Sequence, residues 1–461
     1  MKINRSNIVK SFCAILLMGI IAVSCGQDPI FYIISTETAP IPPRIPGSPT
    51  NMVVFEREYQ YFGDPADPDF DPDAEPETRN INLLFVASGS LHWYGGDPSA
   101  PEWDMDYGIP QPEGRITSLA ITKNYLYALC LNGNSLTATL RYMGRTGGWT
   151  TISGIDEYPL LQSIYADPET DRLFVGAGIT SKTDITYAIL YLDVNKDTDE
   201  QTLKMLKPKT AMLSGAVYRK DAYYLCTRGQ GIFKVSEDNL KTNPINDEMV
   251  LQLKNISEVK IETEIDPDNP PDPDNLLEIK IELQEKDSDI LFMSMIKLKD
   301  SAESIIAVGR ANGVLYEILE NEEGAAYFSQ IYYNNGNSAT IGAFAMGAYA
   351  LWQDRDEVIK KLVTGRQGTL SSTSYNNGYV EFYLKSDNNS FDKDNPTRFM
   401  DTVHNSDRYS TNLGKHPINH LFQAPESIDE NMTFFASTQA SGLWSYRDRP
   451  NNGGWQWNAE N

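Results

Sequence analysis

The chain has 461 residues, of which 41% are hydrophobic and 22% charged, and its formal net charge is −24. The charge argues against a nucleic-acid-binding protein, because contacts to phosphates need a basic surface. The apolar content excludes a disordered chain, and the 32 glycines and 25 tyrosines are typical of strands joined by tight turns.

The N-terminus has the organisation of an export signal. Three basic residues lie within the first ten positions, an apolar run extends from Phe12 to Val23, and the small residue Ser24 precedes Cys25. The apolar run is too short to span a bilayer comfortably. The sequence therefore predicts a signal peptide over residues 1–24, and its removal takes the formal charge from −24 to −27, because three basic and no acidic residues are lost.

The residues around the predicted cleavage site, "AVSC", resemble the lipobox of bacterial lipoproteins. The resemblance implies cleavage before Cys25, whose thiol would carry diacylglycerol and whose freed amine would be acylated. Ala22 stands where the family usually has leucine. An ordinary secretory signal or an N-terminal membrane anchor is the alternative. Several acyl chains anchor a protein stably, and Gly26 after the cysteine favours the outer membrane over the inner one.

Residues 25–50 are predicted to be a linker between the lipid and the folded part. The stretch from Ser35 to Thr50 contains five prolines, which cannot form a helix or a central strand. Proline-rich segments are extended and semi-rigid. The linker is therefore expected to hold the folded part away from the membrane.

After the linker, short apolar runs separated by Gly, Asn and Asp turns group in fours. The second run of each group is the clearest, and the seven runs are INLLFVAS from Ile81, NYLYALCL from Asn124, DRLFVGAG from Asp171, DAYYLCTR from Asp221, ESIIAVGR from Glu303, VIKKLVTG from Val358 and MTFFASTQ from Met432. Four antiparallel strands repeated seven times predict an all-β fold, a β-propeller of seven four-stranded blades over residues 51–461.

The turn after the second run occurs in three related versions, CTRGQGIFKV, VGRANGVLYE and STQASGLWSY. One or two β-sandwiches are the alternative fold, but sandwich strands have no reason to resemble one another at a fixed phase. The chain thus resembles lipobox-bearing envelope propellers in its strand pattern. It carries no kelch, WD or sialidase signature.

Two acidic inserts interrupt the repeat, at residues 63–78 and 255–289, and their Asp-Pro repeats predict solvated loops. Cys130 and Cys226 fall on the second strands of blades two and four. A whole blade would then separate them, which exceeds the reach of a disulfide. We expect both to be buried free thiols.

No residue pattern indicates catalysis. The four histidines have neither metal-ligand spacing nor a nucleophile motif beside them, and His92 is interpreted as a strand residue in a blade interface. Asp193, Asn195, Asp197 and Asp199 alternate as in the first half of a calcium loop, but Thr198 replaces the required glycine and Lys204 the bidentate acid. The sequence therefore predicts no metal and no cofactor.

Three arginines recur at the start of the loop between the second and third strands, and Gln439 holds that place in the last blade; the arginines are Arg228, Arg310 and Arg366. Loops at this end of a propeller commonly surround the channel mouth. Convergent arginines would suit a carboxylate, sulfate or phosphate. The alternative is that each arginine caps a turn or pairs with a nearby acid.

The sequence favours a lipid-anchored, non-enzymatic binding or scaffold propeller of the bacterial cell envelope. Its expected partners are the membrane, through the N-terminal lipid, and either a protein or an anionic small molecule or glycan. The alternative is an envelope enzyme that acts on glycans or other anionic substrates at the channel mouth. Such an enzyme would need paired carboxylates there, and the acidic residues are too numerous for sequence to select a pair.

Overall fold

The structure is a computed structural model of the chain. It describes residues 44–62, 73, 75–133, 137–152, 158–180, 185–194, 200–219, 221–242, 250–251, 290–297, 304–310, 315–320, 326–332, 345–353, 360–367, 378–384, 391–399, 413, 417–439, 441–449 and 454–460. All described strands belong to one compact unit, Pro43–Glu460. Among the described residues, no helix has the length and apolar character needed to cross a bilayer.

The strands form seven four-stranded antiparallel sheets, each ordered as its strands follow in the chain. The first three blades are β1 (Met52–Tyr61), β2 (Glu77–Ser88), β3 (Ser90–Gly95) and β4 (Glu102–Trp103); β5 (Arg115–Ile121), β6 (Leu126–Leu131), β7 (Ala138–Met143) and β8 (Thr150–Ile152); and β9 (Leu160–Ala166), β10 (Leu173–Thr180), β11 (Ile185–Val194) and β12 (Gln201–Thr210). The fourth comprises β13 (Met212–Arg219), β14 (Ala222–Arg228), β15 (Gly231–Ser236) and β16 (Val250–Leu251), with a short helix α1 (Glu237–Thr242) after β15.

The last three blades complete the repeat. They are β17 (Ile290–Lys297), β18 (Ser304–Arg310), β19 (Leu315–Glu320) and β20 (Ala326–Tyr332); β21 (Ala345–Gln353), β22 (Lys360–Gln367), β23 (Gly378–Leu384) and β24 (Phe391–Phe399); and β25 (Ile418–Gln423), β26 (Phe434–Thr438), β27 (Leu443–Arg449) and β28 (Gly454–Ala459). Each second strand overlaps the run predicted for it.

The seven blades close into a ring around their first strands. Each first strand contacts the first strand of the next blade, and β25 of blade seven contacts β1 of blade one. This arrangement confirms the predicted all-β propeller with seven four-stranded blades, because in a sandwich the first strands would not form a closed cycle.

The second strands β6, β10, β14 and β26 are buried along most of their length, which explains their nearly continuous apolar sequence. In β6, Leu126, Ala128 and Cys130 pack towards blade one, whereas Tyr127 and Leu129 pack towards blade three. Alternate residues of a strand point to opposite faces, so a strand between two blades needs apolar residues at every position.

Six of the described first strands carry a β-bulge near their start, where one extra residue interrupts the pairing with the second strand. The extra residues are Thr117, Gln162, Ser214, Leu291, Gly347 and Asn419. A bulge bends its strand and increases the local twist. The bulges also provide a common reference position for comparing the blades.

The predicted linker ends earlier than residue 50, because its last residues dock on the ring. Ile45 is fully buried between blades seven and one. Its carbonyl accepts the Leu443 amide, and the Arg44 amide donates to the Glu460 carbonyl. An isoleucine among prolines can bury its side chain while the extended backbone binds the edge of a blade. Arg44 and Ile45, which were assigned to the linker, are therefore part of the described propeller.

Cys130 and Cys226 lie on β6 and β14, the second strands of blades two and four, and both are buried free thiols. The prediction for the two cysteines is confirmed. Burial raises the pKa of Cys130 to about 11 and that of Cys226 to about 12. Neither thiol is therefore ionised at neutral pH.

The acidic inserts lie largely outside the described residues. The first insert joins β1 and β2 as predicted, but β2 already begins at Glu77, which pairs with Tyr61. The second insert, 255–289, falls between β16 and β17 and outside the description.

Candidate functional site

The predicted lipidation and calcium residues are only partly described. Cys25 lies outside the described residues, as do Asn195, Asp197 and Asp199. Asp193 is the last residue but one of β11, and its carboxylate faces two cations, Arg172 Nη1 at 3.4 Å and Lys204 Nζ. The pKa of Asp193 is lowered, chiefly by the hydrogen bond from Lys204.

The lysine that replaces the calcium-loop acid thus forms an ion pair with the first residue of the predicted loop. Within the described ranges, no group of three or more His, Cys, Asp or Glu side chains is arranged to hold a metal ion. The calcium-loop candidate that the sequence argued against is not tested, because three of its four residues lie outside the described ranges.

The three arginines of the predicted rim occupy two different register positions. Arg310 and Arg366 lie opposite the residue just before the bulge of their blade. Arg228 lies one residue further from the bulge of its blade, opposite Met212. Gln439 occupies the same register position as Arg228. Its backbone amide donates to the carbonyl of Pro417, which lies two residues before the bulge residue Asn419 of blade seven.

A one-residue offset moves a strand position to the other face of its sheet. The recurrence of arginine in the sequence therefore does not correspond to a recurrence in register. Arg228 is exposed, whereas the side chains of Arg310 and Arg366 lie outside the description. An anion site built from all three remains a prediction.

The first strands offer little support for a carboxylate pair along the channel wall. Those of blades two to seven contain no Asp or Glu in their described spans. In β1 the acidic residues are Glu56 and Glu58. A glycoside hydrolase needs two carboxyl groups roughly 5–10 Å apart, and first strands without acids cannot supply them.

A groove that the sequence did not reveal lies between blades one and two. Its volume is about 760 Å³, within the usual range for small-molecule sites. It is lined by Arg57, Glu58, Tyr59, Gln60, Phe62, Asp106, Tyr107, Gly108, Pro110, Thr146, Gly147 and Gly148. These residues come from the end of β1, the segment after β4 and the turn between β7 and β8.

Arg57 fixes one wall of the groove. Its side chain is buried, its Nη1 donates to the Gly144 carbonyl at 2.6 Å, and its Nη2 donates to Gly147 at 3.1 Å. Burial lowers the pKa of Arg57, and Glu58 partly opposes this effect. Arg57 Nε is buried without a hydrogen-bond partner among the described residues.

Two further contacts join β1 to the same turn of blade two. The Glu58 amide donates to the Arg145 carbonyl at 3.0 Å, and the Glu56 carboxylate pairs with Arg145 Nη1 at 2.6 Å. Four contacts thus connect one strand to one five-residue turn. The groove wall is preorganised, which reduces the entropy that a ligand must overcome on binding.

Aromatic rings also line the groove. Tyr59 and Tyr107 meet edge to face, with ring centroids 5.0 Å apart. Burial raises the pKa of Tyr107, so its hydroxyl is neutral and can donate a hydrogen bond. Phe62 is 66% exposed at the end of the described hairpin strand. A cluster of exposed and half-exposed aromatic groups is characteristic of binding surfaces.

No family model matches the chain, and no curated protein sequence matches it either. Among solved structures, similarity was found to the extracellular domain of the B. thetaiotaomicron one-component-system protein BT4673, with 14% identity, a TM-score of 0.38, and coverage of 80% of this chain and 37% of that one. The chain thus spans well under half the length of that protein.

Two further similar structures are matched over nearly their whole length. The periplasmic gluconolactonase PpgL of Pseudomonas aeruginosa has 10% identity and a TM-score of 0.47, with coverage of 88% of this chain and 94% of that one. The Swd1 β-propeller domain of Myceliophteria thermophila has 9% identity and a TM-score of 0.41, with coverage of 78% and 91%.

Proposed function

We propose that the protein is a lipid-anchored propeller of the cell envelope that binds a neutral oligosaccharide in the groove between blades one and two. The observation that carries the proposal is the combination of paired tyrosine rings with a wall fixed by Arg57. The aromatic faces suit the apolar C–H face of a sugar ring, and the surrounding polar groups suit its hydroxyls.

The charges along the groove favour a neutral ligand over an anionic one. Glu58 and Asp106 contribute two carboxylates, whereas both terminal nitrogens of Arg57 already bind backbone carbonyls. An anion would meet two negative groups without a free cation among the described lining residues. Carboxylates accept hydrogen bonds from sugar hydroxyls, and such charge-assisted bonds are stronger than neutral ones.

Membrane attachment is the second component of the proposal. The basic n-region, the short apolar run and the lipobox-like AVSC support lipidation at Cys25. The predicted linker would tether the propeller to the membrane. A groove tethered in this way is suited to capturing glycans at the envelope.

Glycan-array screening of the purified chain followed by titration calorimetry tests the groove. We expect binding to a neutral oligosaccharide, and Tyr107→Ala and Tyr59→Ala should each weaken it at least ~10-fold, equivalent to about 1.4 kcal/mol. Tyr187→Ala is the matched control, because Tyr187 is a partly exposed tyrosine on β11 of blade three. Absence of glycan binding, or equal losses in all three variants, would refute the proposal.

A further inference from the structure

Three polar side chains at the outer part of blade one form a hydrogen-bonded row. Ser90 Oγ lies 3.1 Å from His92 Nε2, and His92 Nδ1 lies 3.0 Å from Asp104 Oδ2. Ser90 is exposed, and the His92 side chain is 18% exposed. The row begins at the turn between β2 and β3, where β2 ends. The groove lies where β1 ends, beside the start of β2, so the two features are at different ends of the sheet.

The strand positions explain how the row is formed. Ser90 and His92 are two residues apart on β3, so their side chains lie on the same face of the sheet. β4 ends at Trp103, and Asp104 continues its line opposite Trp93. The Asp104 amide donates to the Trp93 carbonyl at 2.8 Å, and its Oδ1 accepts the Trp93 amide at 3.1 Å.

Asp104 adopts a strained backbone conformation in this position, with a φ of 55°. Non-glycine residues in the left-handed region are uncommon and are often found at functional sites. Here the strain is offset by the two bonds to Trp93 and the bond to His92. These bonds hold the carboxylate beside His92 Nδ1, and so they orient the imidazole.

The hydrogen-bond pattern determines the tautomer of His92. A carboxylate can only accept, so the bond to Asp104 requires a proton on Nδ1. In the neutral ring, Nε2 is then an acceptor and faces the Ser90 hydroxyl. Burial raises the pKa of Asp104, but hydrogen bonds from His92 and the Trp93 amide outweigh that effect and leave the pKa below its ordinary value.

One arginine lies near the Asp104 carboxylate, and the stem of another lies beside the turn that precedes Ser90. Arg44 Nε lies 3.8 Å from Asp104 Oδ2. The stem of Arg115 lies beside Gly89, since a Cβ at Gly89 would be 3.7 Å from Arg115 Cγ. Arg115 is exposed.

We propose that Ser90, His92 and Asp104 form a catalytic row that hydrolyses small acyl esters, with Ser90 as nucleophile, His92 as general base and acid, and Asp104 as the positioning residue. The order of atoms from serine Oγ through Nε2 and Nδ1 to the carboxylate is that of the serine-hydrolase triad, which occurs on unrelated folds. Exposure of Ser90 selects substrates whose ester is accessible, such as O-acetyl groups on a glycan.

The reaction balances without a cofactor. Ser90 Oγ attacks the ester carbonyl, its proton moves to His92 Nε2, and the carbon–oxygen bond to the alcohol breaks as that alkoxide takes the proton. Water then attacks the acyl-serine, gives its proton to Nε2, and releases the carboxylic acid as Ser90 recovers its proton.

Labelling of the intact folded chain with a fluorophosphonate probe tests the proposal directly. Serine displaces fluoride from the probe, and peptide mass spectrometry must place the label on Ser90 rather than on Ser88 or Ser99, which share the peptide between Arg79 and Arg115. We expect labelling of Ser90 and turnover of p-nitrophenyl acetate. Ser90→Ala should abolish both, and His92→Gln should slow both by about 10²-fold or more.

Ser99→Ala is the control, because Ser99 is an exposed serine that bonds only to Asp97 among described residues and has no histidine beside it. Asp104→Asn should reduce the rate and change its pH profile, since an amide no longer fixes the tautomer of His92. The melting temperature of each variant shows whether the fold is retained. Absence of a label in the wild type, or equal turnover by folded Ser90→Ala, would overturn the proposal.

Discussion

The Trp103 indole donates its Nε1 proton to Glu460 Oε2 over 2.7 Å and so joins the fourth strand of blade one to the end of blade seven. The other carboxylate oxygen of Glu460 accepts the Ser445 hydroxyl. Both Trp103 and Glu460 are buried. One carboxylate thus satisfies two donors at the place where the ring closes.

Replacement of Glu460 should therefore weaken ring closure. Glu460→Ala leaves the Trp103 and Ser445 donors without their acceptor, and we expect a loss of about 2–4 kcal/mol in the free energy of unfolding. Urea denaturation at neutral pH measures the change. Glu426→Ala is the control at an exposed position of the same blade and should cost less than ~0.5 kcal/mol. Similar values for the two variants would contradict this role.

A second bond across the closure depends on pH. The Met52 amide donates to His420 Nδ1 at 3.1 Å, which joins the first strands of blades one and seven. Burial lowers the pKa of His420 to about 4. A protonated ring could not accept the bond, so the folded state favours the neutral form.

Because the folded pKa of His420 lies below the unfolded one, the unfolded chain takes up the proton first as the pH falls. The contribution of His420 to the free energy of unfolding is fully present above pH ~6.5. It should decline by up to about 3 kcal/mol as the pH falls to about 4. His420→Gln keeps an acceptor but does not titrate, so its unfolding free energy should change less over this window. Equal pH slopes for wild type and variant in urea titrations would exclude His420 as the cause.

The strand order could be predicted from the sequence because each blade repeats the same local pattern. Cys130 and Cys226 were assigned to buried second strands for that reason, and the structure confirms them. The groove could not be predicted, because Arg57 reaches Gly144 across 87 residues. Nothing in the local sequence of either residue indicates that contact.

Only part of the serine–histidine row can be predicted from the sequence. The spacing of Ser90 and His92 on a strand predicts a shared face, whereas Asp104 joins them only because β4 folds back beside β3. The arginine repeat shows that a match in sequence need not be a match in register. Arg228 and Arg310 match in sequence but differ in register, because the bulge position shifts between blades.

Lipidation should depend on Cys25. We expect Cys25→Ser to abolish incorporation of radiolabelled palmitate and to move the protein from the detergent phase to the aqueous phase, since several acyl chains provide the anchoring. Cys13→Ser is the control, because Cys13 lies in the predicted signal and would be removed with it. Unchanged labelling in Cys25→Ser would show that the chain is not a lipoprotein at this residue.

Arg57 should support both stability and binding. Arg57→Met keeps most of the buried volume but leaves the carbonyls of Gly144 and Gly147 without their donor, so we expect a loss of about 2–3 kcal/mol in the unfolding free energy. Arg79→Met is the control on the same hairpin, because the Arg79 ion pair with Glu77 is exposed and should contribute little to stability. Hydrogen exchange should show faster exchange in the turn of residues 144–148 in Arg57→Met alone, together with weaker oligosaccharide binding. If Arg57→Met matched Arg79→Met in both measurements, Arg57 would not be the residue that fixes the groove wall.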